Sequence, residues 1–329
     1  MKNLSIIGGG SWGTALGIVL APRFSQVKLW VYETDLARRM VETRFNDVYL
    51  PSARIPANVD ITPALDDSLD NADIVLGVMP SHLARGMYER MRPFINDRMI
   101  FVSATKGLEN HTLLRVSEVI REVLGTPSVG VISGPSFARE VARFEPTAVV
   151  AAAADPVVAT KVQAAFSGPT FRVYTSSDPI GVEIGGSIKN VVAIGAGVLH
   201  GMGLGHNAMA ALITRGLAEM TRLAVAMGGR QQTLAGLAGL GDLVLTCTGD
   251  LSRNRAVGVE LAKGRKLEDI VNSMKMVAEG IKTTNAAVDL AKRYSVEMPI
   301  AEQMFQMLHF GSSPQEAIRR LMERSLKGE

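Results

Sequence analysis

The chain has 329 residues, of which 47% are hydrophobic and 20% charged, and this composition excludes an intrinsically disordered protein. The formal net charge of +3 comes from basic residues interleaved with acidic ones, which argues against a nucleic-acid-binding surface. At about 150 residues per domain, the length predicts two domains.

Cysteine and histidine usage narrows the class of protein further. The single cysteine, Cys247, excludes an internal disulfide, and its apolar neighbours favour a buried, unreactive thiol in a reducing compartment. The five histidines and one cysteine show no spacing typical of metal ligands, so we expect no metal site. Strand-like residues begin at Leu4, which leaves no room for a signal peptide, and we expect a cytoplasmic protein.

The first predicted strand, Leu4–Ile7, leads directly into a glycine loop and a helix. Gly8, Gly10 and Gly13 form the pattern G-x-G-x-x-G. In this pattern the first glycine permits a tight turn, the second lets a pyrophosphate approach the backbone, and the third lets the helix pack on the strand. The helix N-terminus then offers free N–H groups to the phosphates. The loop therefore predicts a dinucleotide site.

The second predicted strand, Val27–Val31, ends close to Glu33, about 20 residues past the glycine loop. An acidic residue at this position binds the ribose hydroxyls in NAD enzymes. The 2'-phosphate of NADP needs a cation, and none occurs before Arg38, so this stretch alone leans towards NAD. The alternative is that Glu33 is an ordinary acidic residue at the start of a helix.

Apolar strands continue to alternate with amphipathic helices, which predicts a parallel sheet covered on both faces. Further strands are predicted at Ile74–Val78, Met99–Ser103, Val129–Ser133, Thr147–Ala153 and Phe171–Tyr174, and helices at Leu83–Met91, Leu113–Leu124 and Pro156–Phe166. Beyond residue 178 only helical patterns with glycine breaks follow. We therefore predict an α/β dinucleotide-binding domain over residues 1–178 and a helical domain over residues 179–329.

Three predicted strand ends carry small or polar residues, and ligands of such sheets bind at the carboxyl ends of the strands. These stretches are Met79–Ser81, Thr105–Gly107 and Gly134–Ala138. Lys106 stands out because it is a cation that directly follows a buried strand. It either contributes to a ligand site or is a solvated loop lysine.

Lys189 precedes a stretch, residues 190–214, that contains no Asp, Glu, Lys or Arg. A helix that is apolar on every side is normally buried, and burial of an ammonium costs several kcal/mol unless a partner or a lowered pKa offsets it. A lysine whose pKa lies near neutrality is a competent proton donor and acceptor. The alternative is a lysine whose amine reaches solvent from the end of the helix. Glycines and polar residues within the stretch favour buried helices over a membrane span.

Two stretches of the helical part also have suitable chemistry for a site. Asp242 lies between a glycine turn and an apolar run, so it is either a buried carboxylate that orients a cation or a turn cap. Ser252, Arg253 and Asn254 begin a helical pattern, and a serine cap, free N–H groups and a guanidinium together suit a phosphate. The same residues are also typical of a capped helix with solvent-facing arginines.

Taken together, these stretches resemble the NAD(P)-dependent glycerol-3-phosphate dehydrogenase family of bacterial type, nearly from end to end. The resemblance rests on motifs in the family's order, namely Gly8–Ala15, Thr105–Glu109, Ser133–Ala138, Gly181–Val191, Ala211–Leu217, Gly239–Leu243 and Ser252–Asn254. It implies an N-terminal Rossmann domain with a mixed, mostly parallel sheet, an all-α C-terminal domain, and an active site between them. The implied reaction is the reversible reduction of dihydroxyacetone phosphate to sn-glycerol 3-phosphate by NADH or NADPH, which supplies glycerophospholipid synthesis.

The resemblance also implies roles for individual residues. Lys189 matches the catalytic lysine, which donates the proton in reduction and accepts it in oxidation. The positions that match the substrate site are Lys106, Gly134, Ser136, Lys189, Asp242, Ser252, Arg253 and Asn254. Together with Gly8, Gly10 and Gly13 of the loop, the positions that match the cofactor site are Ser11, Trp12, Tyr32, Lys106, Ala138, Arg253, Val277 and Glu279.

Tyr32 departs from the commonest pattern of the family, since many relatives carry Arg or His there, which suits a 2'-phosphate. Tyr32 beside Glu33 therefore leaves the preference between NADH and NADPH open. The family makes a homodimer plausible. Two rival functions stay open: a lysine-using dehydrogenase of a hydroxy acid or sugar acid, for which Arg253 would meet no phosphate, and a dinucleotide sensor that binds nucleotide without turnover.

Overall fold

The computed structural model describes residues 1–125, 128–274 and 278–326. The strands are β1 (Asn3–Ile7), β2 (Gln26–Trp30), β3 (Phe45–Asn46), β4 (Leu50–Arg54), β5 (Val59–Thr62), β6 (Ile74–Gly77), β7 (Ile100–Ser103), β8 (Val129–Ser133), β9 (Thr147–Ala153) and β10 (Phe171–Ser176). The helices among them are α1 (Ser11–Leu20), α2 (Thr34–Thr43), α3 (Leu65–Leu69), α4 (Ala84–Met91), α5 (Val116–Leu124), α6 (Ala138–Ala142) and α7 (Pro156–Phe166). The helices that follow are α8 (Pro179–Gly201), α9 (His206–Ala226), α10 (Gln231–Leu234), α11 (Asp242–Thr248), α12 (Arg253–Ala262), α13 (Leu267–Ser273), α14 (Glu279–Arg293), α15 (Pro299–Phe310) and α16 (Pro314–Met322).

Eight of the strands form one sheet in the order β10-β9-β8-β7-β6-β1-β2-β5, and β3 pairs with β4 in a separate hairpin. Neighbouring strands of the sheet are parallel except for β8 and β9, which are antiparallel. The prediction of a Rossmann-type region with a mixed, mostly parallel sheet, followed by an all-helical region, is therefore confirmed.

The central strands are buried because helices cover both faces of the sheet. Alternate residues enter separate cores, with Ile6 and Leu76 on one face and Ile7 and Val75 on the other. Strands β6, β7 and β8 are buried along their whole length. Burial on both faces is what makes these strands continuous apolar runs in the sequence.

Every strand predicted from the sequence is present, and the ends differ by about two residues at most. The helix predicted at Leu113–Leu124 is present, but its predicted start is wrong, because α5 begins only at Val116. Leu113 has a φ of 63°, and Arg115 is the N-cap, whose backbone N–H donates to the Glu118 carboxylate at 3.0 Å. The hairpin and the edge strand β5 are missing from the prediction, because both are short and partly exposed.

Helix α8 forms the centre of the helical part. Its N-terminus is capped by Asp178, whose Oδ1 accepts the Gly181 N–H at 2.9 Å, and Pro179 occupies the first turn. Every residue from Gly181 to Leu199 is buried. Within the described residues α8 is the single helix long and apolar enough to cross a bilayer, but 94% of its apolar window is buried inside the protein, as in a core helix of a soluble protein.

Helices α8 and α12 touch through their backbones. A Cβ atom added to Gly197 would lie 1.9 Å from the carbonyl oxygen of Arg255, and one added to Gly258 would lie 1.9 Å from that of Ile194. This contact requires glycine on both helices. It also fixes the first turn of α12, which carries Arg253, relative to α8.

The glycine contact makes a prediction about stability. Gly197→Ala is expected to lower the free energy of unfolding by about 1–3 kcal/mol, because the new methyl group forces the helices apart. Gly86→Ala is the matched control, since Gly86 lies within α4 with no atom within 4 Å of an added Cβ, and it is expected to stabilise the protein by up to about 1 kcal/mol. Urea-induced unfolding measures both, and equal effects would contradict the packing argument.

Candidate active site

Helix α8 holds the amine of Lys189 away from solvent. The Lys189 side chain is only 6% exposed, its Nζ contacts Oδ1 of Asp242, and it donates to Oγ1 of Thr246 at 3.0 Å. The alternative in which this lysine extends to solvent is therefore wrong. The uncharged stretch that follows Lys189 is buried only up to Leu199, within α8. None of residues 200–214 is buried, so the prediction of buried helices is wrong for the start of α9.

Asp242 is shared by two lysines. Its second oxygen, Oδ2, accepts from Nζ of Lys106 at 2.8 Å, and its side chain is 1% exposed. Lys106 also donates to the carbonyl oxygen of Gly134 at 2.8 Å and to Oγ of Ser136 at 3.3 Å. Lys106 is thus not a solvated loop lysine, and Asp242 is not merely a turn cap. We call Lys106, Lys189, Asp242 and Thr246 together the two-lysine cluster.

Two glycines on α8 bring Lys189 to the cluster. A Cβ on Gly185 would lie 2.5 Å from the carbonyl oxygen of Ala238, in the π-helical turn that leads to Asp242. A Cβ on Gly186 would lie 2.5 Å from Oγ of Ser133, at the end of β8. Glycine at both positions lets α8 approach the turn and the strand end at the same time.

Thr246 is a member of the cluster that the sequence reasoning missed. Its hydroxyl donates to the Asp242 carbonyl one turn earlier in α11, at 2.6 Å. A lone pair is therefore left to accept the Lys189 ammonium. The available signal was a threonine at position i+4 from a candidate carboxylate on the same helix.

The protein interior shifts the protonation of Lys189. Burial is the largest influence, and it lowers the pKa of Lys189 to about 7, while the Asp242 carboxylate opposes this shift and the Lys106 ammonium adds to it. An amine with this pKa gives and takes a proton near neutral pH. Next to Asp242, burial raises the pKa of the Cys247 thiol to about 12, so the thiol is unreactive, as predicted.

The start of α12 combines a capped helix with an unpaired guanidinium. Ser252 is the N-cap, and its Oγ accepts the Arg255 N–H at 3.2 Å. Arg253 is exposed and makes no hydrogen bond or ion pair with any residue that the structure describes. A free cation beside the open N–H groups of a helix start suits an anionic ligand.

Asn254 connects this helix start to the two-lysine cluster. It is buried, and its Nδ2 donates to Oδ1 of Asn190 at 2.9 Å while its Oδ1 accepts the Gly280 N–H at 2.9 Å. Asn190 in turn donates to the Lys106 carbonyl oxygen at 3.2 Å. The amides therefore hold α8, α12, α14 and the strand end of Lys106 together.

Glu279, the first residue of α14, reaches the end of β6. Its carboxylate accepts from the backbone N–H and the hydroxyl of Ser81, at 3.2 and 2.9 Å. Burial raises the pKa of Glu279, while the Ser81 hydrogen bonds and the charge of Arg253 act against that rise. Val277, predicted at the cofactor, lies outside the described residues.

The glycine loop has the geometry of a pyrophosphate site. Gly8 has a φ of +130°, and an added Cβ would lie 2.1 Å from the Val78 carbonyl oxygen, while one on Gly13 would lie 1.9 Å from that of Gly8. The fold itself thus requires these two glycines. An added Cβ on Gly10 would meet no atom within 4 Å, so the bare backbone there faces open space, as a pyrophosphate needs.

The remaining cofactor candidates lie along the same edge of the sheet. Ser11 and Trp12 form the first turn of α1, and Ala138 begins α6 after β8. Tyr32, after β2, is 70% exposed. The neighbouring Glu33 makes no helix-capping bond and instead accepts the Tyr49 hydroxyl at 2.8 Å.

The strand ends of the sheet thus collect the predicted residues in two groups. Lys106, Gly134 and Ser136, after β7 and β8, contact Asp242 or its partners directly. The glycine loop and Tyr32, after β1 and β2, have no hydrogen bond to the two-lysine cluster among the described residues. Both groups follow strands of one sheet, at the carboxyl ends where ligands of such sheets bind.

Comparisons with known proteins agree with the geometry. The NAD-dependent glycerol-3-phosphate dehydrogenase N-terminus matches residues 3–159, and the C-terminus of the same family matches residues 178–319. The chain is 56% identical to glycerol-3-phosphate dehydrogenase (NAD(P)+) of Koribacter versatilis over 98% of each chain. It is 49% identical to that of Geobacter sulfurreducens over 100% of this chain and 99% of the relative. The crystal structure of glycerol-3-phosphate dehydrogenase from Coxiella burnetii, 42% identical, superposes with a TM-score of 0.94 over 98% of this chain and 99% of that one.

The shared carboxylate makes a prediction about stability. Asp242→Asn is expected to lower the free energy of unfolding by about 3–5 kcal/mol, because the buried Lys189 and the partly buried Lys106 lose their shared counter-charge. Asp250→Asn is the matched control: Asp250 pairs with Arg255 at 2.9 Å, but its side chain is 94% exposed, so the loss is expected below about 1 kcal/mol. Urea-induced unfolding measures both variants, and equal losses would contradict the cluster's stabilising role.

Proposed function

Because the chain belongs to the NAD-dependent glycerol-3-phosphate dehydrogenase family, we propose that the two-lysine cluster is its catalytic centre and that Lys189 is its acid and base. The protein is an oxidoreductase that reversibly reduces dihydroxyacetone phosphate to sn-glycerol 3-phosphate with NAD(P)H. The product supplies glycerophospholipid synthesis. The observation that carries the proposal is a buried lysine of near-neutral pKa at the edge of a dinucleotide-binding sheet.

In the proposed mechanism Lys189 handles the proton. When bound, the reduced nicotinamide supplies the hydride for C2 of the ketone. Lys189, as the ammonium, stabilises the negative charge that develops on the C2 oxygen and donates its proton there, and in the reverse direction the neutral amine accepts it. Asp242 and Thr246 hold the amine in place, because each accepts a hydrogen bond from it.

Lys106 is proposed to serve substrate and cofactor together. Gly134, Ser136 and Asp242 fix its ammonium beside Lys189, and its charge favours the developing alkoxide. Gly134 and Ser136 therefore act on the substrate mainly through Lys106.

Arg253 is proposed to bind the phosphate of the substrate. Its guanidinium makes no hydrogen bond or ion pair in the described ranges, although it lies near the charge of Glu279. The start of α12 adds free backbone N–H groups beside the N-cap Ser252. Asn254 places this helix start relative to Lys106 through Asn190. A guanidinium and a helix N-terminus together favour a dianionic phosphate over a single carboxylate.

We propose that the dinucleotide contacts the residues that the resemblance implies, namely the glycine loop, Ser11, Trp12, Tyr32, Lys106, Ala138, Arg253 and Glu279, and the open backbone at Gly10 supports this. We propose that both NADH and NADPH are used. Glu33 suits the ribose hydroxyls of NADH, and the exposed Tyr32 leaves space for the 2'-phosphate of NADPH, although neither residue supplies a cation for it.

The organisation of the whole protein is also proposed. We expect residues 1–178 to be the dinucleotide-binding domain and residues 179–329 the substrate-binding domain, since β10 ends at Ser176 and α8 begins at Pro179. A cytoplasmic location is supported by the single buried cysteine, which fits a reducing compartment, and a homodimer is proposed from the resemblance alone.

The test of the proposed acid and base is Lys189→Ala. Turnover of dihydroxyacetone phosphate, followed by loss of NADH and NADPH absorbance, is expected to fall at least about a hundredfold because no other group donates the proton. NADH binding is expected to stay within about twofold of wild type. Lys161→Ala is the control, since Lys161 is exposed on α7, and it should leave turnover unchanged.

Survival of turnover in Lys189→Ala would contradict the role of this lysine. No turnover in the wild type with either cofactor would contradict the proposed substrate, and NADH binding without turnover of any phosphorylated ketone would support the sensor.

The test of the phosphate site is Arg253→Ala. The KM for dihydroxyacetone phosphate is expected to rise at least about tenfold, because a charge-assisted hydrogen bond to the phosphate is lost. The kcat/KM for unphosphorylated dihydroxyacetone is expected to change less than about threefold. Arg265→Ala, which removes an exposed arginine paired with Glu260, is the control. A loss of the same size for both ketones would contradict phosphate binding by Arg253.

A further inference from the structure

The hairpin of β3 and β4 inserts one polar side chain beneath the glycine loop. Asn46 is fully buried, although it lies outside the main sheet. Its Nδ2 donates to the Gly9 carbonyl oxygen at 2.8 Å and to Oγ1 of Thr14 at 2.9 Å, and its Oδ1 accepts the Tyr49 N–H at 3.0 Å. Both the nitrogen and the oxygen of the side-chain amide are thus hydrogen-bonded.

The orientation of this amide is fixed by its partners. The Gly9 carbonyl can only accept and the Tyr49 N–H can only donate, so exchange of the Asn46 oxygen and nitrogen would break both bonds. The Thr14 hydroxyl accepts from Asn46 and lies 3.4 Å from the Gly9 oxygen, to which it donates. Two side chains therefore hold one carbonyl of the glycine loop.

Holding this carbonyl sets the direction of the next N–H. In a trans peptide the C=O and N–H bonds point in opposite directions, so a Gly9 carbonyl turned towards Asn46 turns the Gly10 N–H away from it. Gly10 donates this N–H to no atom of the described chain. Apart from Gly10 and its chain neighbours, no residue has an atom within 4 Å of the position of its missing Cβ, so this side of the loop is open to a ligand.

The loop needs such an anchor because of its composition. Gly8, Gly9 and Gly10 are consecutive, and a run of glycines has the greatest conformational freedom of any backbone. None of them has a side chain that could fix the peptide planes. If the loop were ordered only on binding, the lost conformational entropy would weaken the affinity for the ligand.

We propose that Asn46 is a positioning residue for the dinucleotide, which fixes the Gly9–Gly10 peptide so that the Gly10 N–H faces the pyrophosphate. It acts through the loop and does not touch the cofactor. This inference rests on the dinucleotide binding of the proposed function and not on the identity of the ketone.

Asn46→Asp tests the proposal, because it keeps the shape of the side chain and removes both N–H donors. The Kd for NADH, measured by NADH fluorescence, and the KM for NADH are expected to rise at least about tenfold. The kcat at saturating NADH and the KM for dihydroxyacetone phosphate are expected to stay within about threefold of wild type. If Asn46 served only the stability of the fold, its replacement would not change the Kd and KM for NADH while leaving kcat and the KM for dihydroxyacetone phosphate unchanged.

Asn58→Asp is the matched control, because it makes the same chemical change at the other end of α1. Nδ2 of Asn58 donates to the carbonyl oxygens of Ala21 and Phe24 at 2.8 and 3.5 Å. This variant should lose stability but keep its Kd for NADH within about twofold of wild type. Equal weakening of NADH binding in both variants, or wild-type binding by Asn46→Asp, would overturn the proposal.

If Asn46→Asp does not fold, Thr14 provides a second test. Thr14→Ala removes one of the two contacts of the amide and is expected to raise the Kd for NADH about threefold, whereas Thr14→Ser keeps the hydroxyl and should restore the affinity. Equal Kd values for the two variants would overturn the proposal. A wild type that binds NADH without reducing dihydroxyacetone phosphate would contradict the proposed function, yet the comparison of variants would still decide the role of Asn46.

Discussion

The site depends on one buried carboxylate that two ammonium groups share. Burying Lys189 alone would be costly, and Asp242 offsets that cost while still leaving the pKa of Lys189 near 7. The three charged groups come from different parts of the chain: Lys106 follows β7, Lys189 lies in α8, and Asp242 begins α11. The contact that is proposed to support the chemistry is therefore also a contact between the sheet and the helices.

Other buried polar contacts support this arrangement. Glu183, on α8 before Lys189, accepts from Nη1 of Arg115 at 2.7 Å and from the backbone and hydroxyl of Ser117 at 2.9 and 2.6 Å. Glu279 makes the corresponding contact between α14 and the end of β6. Since each contact would leave a buried charge or N–H unpaired if it broke, the helices are held in one position over the strand ends.

Features encoded locally were predictable from the sequence, and features that depend on distant residues were not. The glycine loop and the buried strands are continuous stretches, so periodicity and motif spacing revealed them. The position of the Lys189 amine depends on Asp242, 53 residues further on, and no local pattern could decide between burial and solvent. The role of Asn46 was not predicted for the same reason. Asn46 is a polar residue in a short, partly exposed hairpin, and its hydrogen-bond partner Gly9 lies 37 residues away in the sequence.

The pH dependence of kcat/KM in both directions tests the central claim most directly, namely that Lys189 is a buried acid and base with a pKa near 7. Reduction needs the ammonium, so its kcat/KM should fall as the pH rises through about 7, while oxidation needs the neutral amine and should gain over the same range. Opposite slopes that meet near neutrality are the predicted result. A reduction profile that stays flat from pH 6 to about 10, with an oxidation profile that keeps rising up to about pH 10, is the behaviour of an ordinary lysine of pKa about 10.4 and would contradict the account.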